Sequence, residues 1–221
     1  MTRFAIVDDH ALLADSLAFA LRSRGHVADV VPVTSLDEIR SRVVADPPEV
    51  ALLDLQLGEV GHALQLIAPL VDADVKVLVV TGVTDRVELA TTLEAGATAY
   101  VAKAEPVDVL LQTAIRVAEG EPVLAPEHRL ALLRELRNHR ESERSVRAPF
   151  ERLSEREKQV LAALCVGRSV TQIADDWVVS VPTVRTQVRA ILTKLDTASQ
   201  LEAVAMAHRS GWFVPQQRRS T

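Results

Sequence analysis

Five short apolar runs, at 4–7, 27–31, 50–53, 75–80 and 99–102, alternate with longer stretches near 11–24, 35–45, 62–71, 85–95 and 106–119. The runs are four to six residues long and mostly rich in valine. Apolar character on both faces suits strands buried in a parallel sheet, and the longer stretches repeat at helical spacing. Ser35 with Glu38 forms a capping box at one helix start, and Gly25 and Gly96 follow helix ends, where a left-handed residue is often needed. Five strands alternating with five helices in about 120 residues predict an α/β doubly wound five-stranded parallel sheet. Right-handed crossovers leave few ways to wind it.

That architecture turns the sequence into a site map, because ligands of such sheets bind beyond the carboxyl ends of the strands. The first run ends in Asp8 and Asp9, the third in Asp54, the fourth in Thr81 and the fifth in Lys103. All five polar groups should emerge on one edge. Three crowded carboxylates repel one another, so one would protonate unless a cation offsets them. Oxygen ligands suit a hard ion such as Mg²⁺, and a lysine supplies a second counter-charge. With a hydroxyl to donate, this is equipment for phosphoryl transfer to a carboxylate, with an aspartate oxygen as the attacking group. His10, next to the acid pair, reads as solvent-facing.

Charge divides the chain. Residues 1–120 carry 9 Lys and Arg against 18 Asp and Glu, whereas 121–221 carry 16 against 12. An acidic half joined to a basic half points to an anionic partner such as double-stranded DNA for the second. The single cysteine, Cys165, allows no disulfide within the chain and reads as a small buried residue. Acidic residues stand where a signal peptide would need its apolar segment, and the longest uncharged stretch, 60–71, is short of the roughly 18 residues of a membrane span. A cytoplasmic protein with no membrane partner is expected.

Residues 126–147 are rich in Arg, Glu and Leu and become wholly polar toward the end. They read as a linker helix fading into a tether before Pro149; a dimer contact through Leu130, Leu133 and Leu136 is the other reading. Helix starts then follow quickly: Ser154 with Glu157, Ser169 with Gln172, Ser180 with Pro182 in the first turn, and Ser199 with Glu202. The short connection near 178–179 fits a helix-turn-helix. In the third helix Val184, Val188, Ile191, Leu192 and Leu195 should face the core, leaving Arg185, Thr186 and Arg189 outside. Two arginines one turn apart suit guanine edges in a major groove, and Gln187, Lys194 and Arg168 could hold phosphates.

Four stretches, "VDD" at 7–9, "LLDLQLG" at 52–58, "VVTG" at 79–82 and "AYVAK" at 99–103, resemble the receiver domain of two-component response regulators. In the second half, "LSEREKQVLAALCVGRS", "QIADDWVVSVPTVRTQVRAILTKL" and "SQLEAVAMA" are similar to the LuxR/NarL-type DNA-binding domain. The first resemblance implies strand order 2-1-3-4-5, with Asp54 as phosphoacceptor and a sensor histidine kinase as donor. It implies Mg²⁺ on Asp9, Asp54 and the Gln56 carbonyl, with Asp8 helping through water. It also implies that Thr81 swings toward the phosphoryl group, that Lys103 pairs with it, and that Tyr100 turns inward behind Thr81. The second resemblance implies a homodimer on phosphorylation, joined near Leu201, Val204 and Ala205. The expected division is a receiver at 1–120, a partly helical linker at 121–149, the helix-turn-helix domain at 150–212 and a tail at 213–221.

Several positions depart from the common pattern. Ala104 stands where many relatives carry Pro, Gly58 where Pro is frequent, and Val178 in a turn that often holds Gly. Gly82 should leave the site open. The chain is read as a transcription regulator and not as an enzyme. Two alternatives are a DNA binder whose receiver ignores phosphate and an aspartate-nucleophile phosphohydrolase; the latter usually carries a second acid where Gln56 stands.

Overall fold

The computed structural model describes residues 1–213, so 214–221 of the expected tail lie outside the described residues. The chain divides into two compact units, Met1–Arg137 and Asn138–Thr221. In the first, strands β1 (Arg3–Val7), β2 (Val27–Val30), β3 (Val50–Leu53), β4 (Lys76–Thr81) and β5 (Ala99–Ala102) alternate with helices α1 (Ala11–Ser23), α2 (Leu36–Ala45), α3 (Leu64–Asp72), α4 (Arg86–Glu94) and α5 (Val107–Glu119). All strand pairs are parallel, and the order is β2-β1-β3-β4-β5, as expected.

The alternation of side chains along each strand divides the core in two. Phe4, Ile6, Leu52, Leu78 and Val101 face α1 and α5, while Val7, Leu53, Val77 and Val79 face α2 and α3. This is why the runs are apolar on both faces. The Ser35 hydroxyl accepts the Glu38 N–H and caps α2, but the expected capping box is only half formed, because the Glu38 carboxylate accepts from the Thr34 hydroxyl instead.

Register sets the edge. Val7 pairs with Leu53, which brings Asp8 and Asp9 level with Asp54, whose N–H bonds the Val7 carbonyl at 2.9 Å. Thr81 pairs with Ala102, and the Lys103 N–H bonds the Thr81 carbonyl at 2.9 Å.

Between residues 126 and 151 the expected tether gives way to one helix, α6 (Pro126–Glu151), which passes through Pro149. Arg and Glu are strong helix formers even without an apolar stripe, and His139 lies one turn from Glu143 at 3.7 Å. Pro149 falls in the last turn, where little of the helix remains to be broken.

The second unit holds α7 (Glu155–Cys165), α8 (Val170–Asp176), α9 (Val181–Leu195) and α10 (Gln200–Arg209). Ser154 and Ser169 make full capping boxes with Glu157 and Gln172. Phe150, Val160, Leu161, Ile173, Val184, Ile191 and Leu195 form the core, and the Phe150 and Trp212 rings stack at 5.2 Å. The α8–α9 turn keeps the left-handed geometry that glycine often supplies, with Val178 at φ 54°. The Arg156 guanidinium lies 3.9 Å from the centre of the Trp177 ring, beside that turn.

Candidate phosphoacceptor pocket and helix-turn-helix

Asp54 stands one residue past β3 and is buried, at 3% exposure. Lys103 Nζ lies 2.7 Å from its Oδ2 and 2.9 Å from Asp8 Oδ1, so one ammonium serves two buried carboxylates. The Gln56 N–H donates to Asp54 Oδ1 at 3.2 Å. Burial pushes the Asp54 carboxyl above its ordinary range, and the Lys103 and Gln56 hydrogen bonds offset that only in part. Burial works against the Lys103 ammonium, but Asp54 and Asp8 outweigh it and hold it above its ordinary value. The lysine therefore stays charged.

Asp8, Asp9, His10 and Asp54 each offer a ligand atom, all within 4.8 Å of one another. Three carboxylates and one lysine leave an excess of two negative charges when His10 is neutral. A divalent cation would balance that excess, and the mainly oxygen donors fit a hard ion such as Mg²⁺. A cleft of about 320 Å³ opens over the group, lined by Asp9, His10, Asp54, Gln56, Gly58, Gly82 and Lys103. A wider groove of about 900 Å³ lies beside it over the ends of β1 and β2 and shares Asp9 and Gly58.

Gly58 has a local reason. Its φ is 53°, and a Cβ there would lie 2.9 Å from Asp9 Oδ2. Any side chain at 58 would both strain the backbone and push the carboxylate. Gly82, by contrast, meets nothing within 4 Å, so the opposite wall is open, as expected.

Thr81 is buried at the end of β4, where its hydroxyl accepts the Val83 N–H at 3.0 Å. The Tyr100 hydroxyl shares a 2.9 Å hydrogen bond with His128 Nε2, and the residue is half-buried. His10 is largely solvent-exposed, as expected, and its ring also borders the site. Its Nδ1 lies 2.8 Å from Asp9 and 3.3 Å from Lys103 Nζ. Its place directly after the acid pair was the available signal. No peptide bond is cis among the described residues, so the one before Ala104 is trans.

On α9, Val184, Ile191 and Leu195 are buried, while Arg185, Thr186 and Arg189 are exposed and Gln187 is half-buried. Two expected phosphate contacts already have partners. Lys194 Nζ lies 2.6 Å from the buried Glu157 carboxylate, and Arg168 pairs with Asp176 on α8. On α10, Leu201 is 79% exposed, while Val204 and Ala205 are half-buried. Cys165 is half-buried rather than fully buried, and that burial pushes its thiol up to about 11.

Comparison with known proteins agrees with both halves. Residues 4–115 match the response regulator receiver domain, and 151–207 match the bacterial regulatory proteins of the luxR family. The transcriptional regulatory protein LiaR of Bacillus subtilis is 26% identical over 213 residues, covering 95% of this chain and 98% of its own. The oxygen regulatory protein NreC of Staphylococcus haemolyticus is 29% identical over 208 residues, with 93% and 96% covered. Among solved structures, a CheY-like receiver domain protein from Methanospirillum hungatei superposes with a TM-score of 0.50 at 23% identity. It covers 54% of this chain and 95% of its own. The receiver match spans more than half of the residues, and the chain belongs to the response regulators, with a LuxR-type helix-turn-helix domain following its receiver.

Proposed function

We propose that Asp54 accepts a phosphoryl group from a sensor histidine kinase and that this shifts the chain toward a DNA-competent homodimer. The observation that carries the reading is the shared lysine: Lys103 bridges Asp54 and Asp8 inside an open cleft that still holds an excess of negative charge. In the transfer, an Asp54 oxygen attacks phosphorus, the bond from phosphorus to the donor nitrogen breaks, and an acyl phosphate forms. Lys103 offsets charge on the incoming oxygens and holds Asp54 in place. Asp8, Asp9, Asp54 and the Gln56 carbonyl would hold Mg²⁺, whose chemistry there is charge neutralisation of the phosphoryl oxygens. The Thr81 hydroxyl, released from Val83, would donate to the new group, and Tyr100 would follow it inward.

Arg185, Thr186 and Arg189, with Gln187, form the face offered to the major groove. Arg168 would exchange Asp176 for a phosphate, and Lys194, tied to Glu157, would brace the helix. Leu201 on α10 supplies apolar surface for a second copy, with Val204 and Ala205 beside it. The functional division is a receiver at 1–120, a linker at 121–149, a DNA-binding domain at 150–212 and a tail from 213. A charge added at one site is then read by a population shift at another.

Acetyl phosphate with Mg²⁺ should label the chain at one site and raise its affinity for a DNA fragment. Asp54→Asn should lose the label and the gain together. Labelling that survives the substitution would move the acceptor elsewhere. Labelling without any change in DNA affinity or dimerisation would leave a DNA binder that ignores phosphate.

A further inference from the structure

The first three turns of α6 belong to the first unit and lie against α4 and β5. Leu132 and Leu136 are buried with Ala90 and Leu93, and Tyr100 packs at the edge of this cluster. Polar bonds fasten the helix on both sides. The Arg129 guanidinium donates to the carbonyls of Leu93, Ala97 and Thr98, each at 3.1 Å. Those carbonyls sit at and just beyond the C-terminal end of α4, where a cation is favoured. Arg86 Nε donates to Glu135 at 2.8 Å.

The bond between Tyr100 and His128 differs from these. Tyr100 pairs in register with Val79, two residues before Thr81 on the same face of β4. Tyr100 and Thr81 are therefore diagonal neighbours on one face of the sheet. The Thr81 hydroxyl is buried and turned to Val83. Tyr100 is half-buried and packs on the apolar cluster of that face, and a ring that followed Thr81 toward Asp54 would give up its bond to His128.

We propose that His128 is a positioning residue that couples α6 to the phosphoacceptor. By holding the Tyr100 hydroxyl, it keeps the ring outward and α6 docked while Asp54 is unmodified. A phosphoryl group on Asp54 draws Thr81 and then Tyr100 inward, and α6 loses that anchor. The inference rests on Asp54 being the acceptor. Coupling of this kind is reciprocal: whatever docking of α6 contributes to the outward ring is subtracted from the binding of a phosphoryl group.

The test uses the full chain with beryllofluoride and Mg²⁺. Affinity is followed by calorimetry and docking by hydrogen exchange over residues 126–136. His128 is exposed, so His128→Phe should fold, keeping an aromatic ring and losing the hydrogen bond. It should bind beryllofluoride about fivefold more tightly, and its 126–136 amides should exchange faster before any ligand is added. His128→Gln, which can still bond the hydroxyl, should stay near wild type. Wild-type affinity in His128→Phe would overturn the coupling. Tighter binding without faster exchange would place the effect in the pocket and overturn it as well. A wild-type chain that takes up no beryllofluoride would remove the phosphoacceptor reading itself, a failure distinct from the other two.

Discussion

Each half of the molecule sets a buried carboxylate against a lysine at almost the same distance: 2.7 Å for Asp54 with Lys103 and 2.6 Å for Glu157 with Lys194. The surroundings separate them. Asp54 shares its lysine with Asp8, has Asp9 and His10 beside it, and opens to a cleft. Burial keeps its pKa raised despite the pair. Burial works against the charged Glu157 too, but bonds from Lys194 and from the Ser154 N–H and hydroxyl outweigh it and hold the carboxyl below its ordinary value. An unbalanced buried pair leaves room for a ligand; a balanced one is a brace.

Glu157→Gln should test the brace with the largest effect. It leaves Lys194 without its counter-charge, and because that ammonium can reach water the loss should be about 1–3 kcal/mol. Both tryptophans, Trp177 and Trp212, lie in the second unit, so urea unfolding followed by their fluorescence reports on that unit. Asp54→Asn should leave the same transition unmoved. The pH dependence has a definite sign. A folded pKa below the unfolded one means that Glu157 stabilises fully above the ordinary carboxylate range and loses this as pH falls through the folded value. The wild type and Glu157→Gln should therefore differ by a constant amount above the ordinary carboxylate range and converge as pH falls below that range and through the folded value. A gap that persisted in acid would mean that the charge is not what holds the helices.

Gly58→Ala probes the unbalanced site at an intermediate scale. The added methyl would sit 2.9 Å from Asp9 Oδ2 on a backbone at φ 53°. Displacing one carboxylate that would ligate the ion should weaken Mg²⁺ binding about tenfold in a calorimetric titration, the scale seen when partners of metal ligands are removed. The tryptophan transition of the second unit should not move. Unchanged Mg²⁺ affinity would mean that Asp9 does not hold the ion.

The five strands were legible because burial on both faces leaves an unmistakable apolar run, and the strand-end rule then carried Asp8, Asp9, Asp54, Thr81 and Lys103 to one edge. What the sequence concealed depends on pairing across distance. Lys194 looks like a surface cation on α9 until Glu157, 37 residues earlier, is seen to take it inward. His128 and Tyr100 stand 28 residues apart with no pattern to join them. The length of α6 was hidden for another reason: apolar periodicity marks a packed helix, and its later turns, rich in Arg and Glu, keep the propensity after the periodicity has gone.

The two units also differ in how they build a left-handed residue next to their working surface. Beside Asp9 the chain uses Gly58, for which the conformation is free. In the α8–α9 turn it uses Val178, at φ 54° and 92% exposed. A β-branched residue in that region costs roughly 1–2 kcal/mol, and so exposed a side chain recovers almost nothing by packing. Val178→Gly removes the clash but gives the unfolded chain more freedom, which takes back about 0.5–1 kcal/mol. The net gain should be about 0.5–1 kcal/mol, read as a higher urea midpoint in tryptophan fluorescence. A lower midpoint would mean that Val178 makes a contact in solution that stabilises the turn, and the contrast with Gly58 would then be one of packing and not of strain.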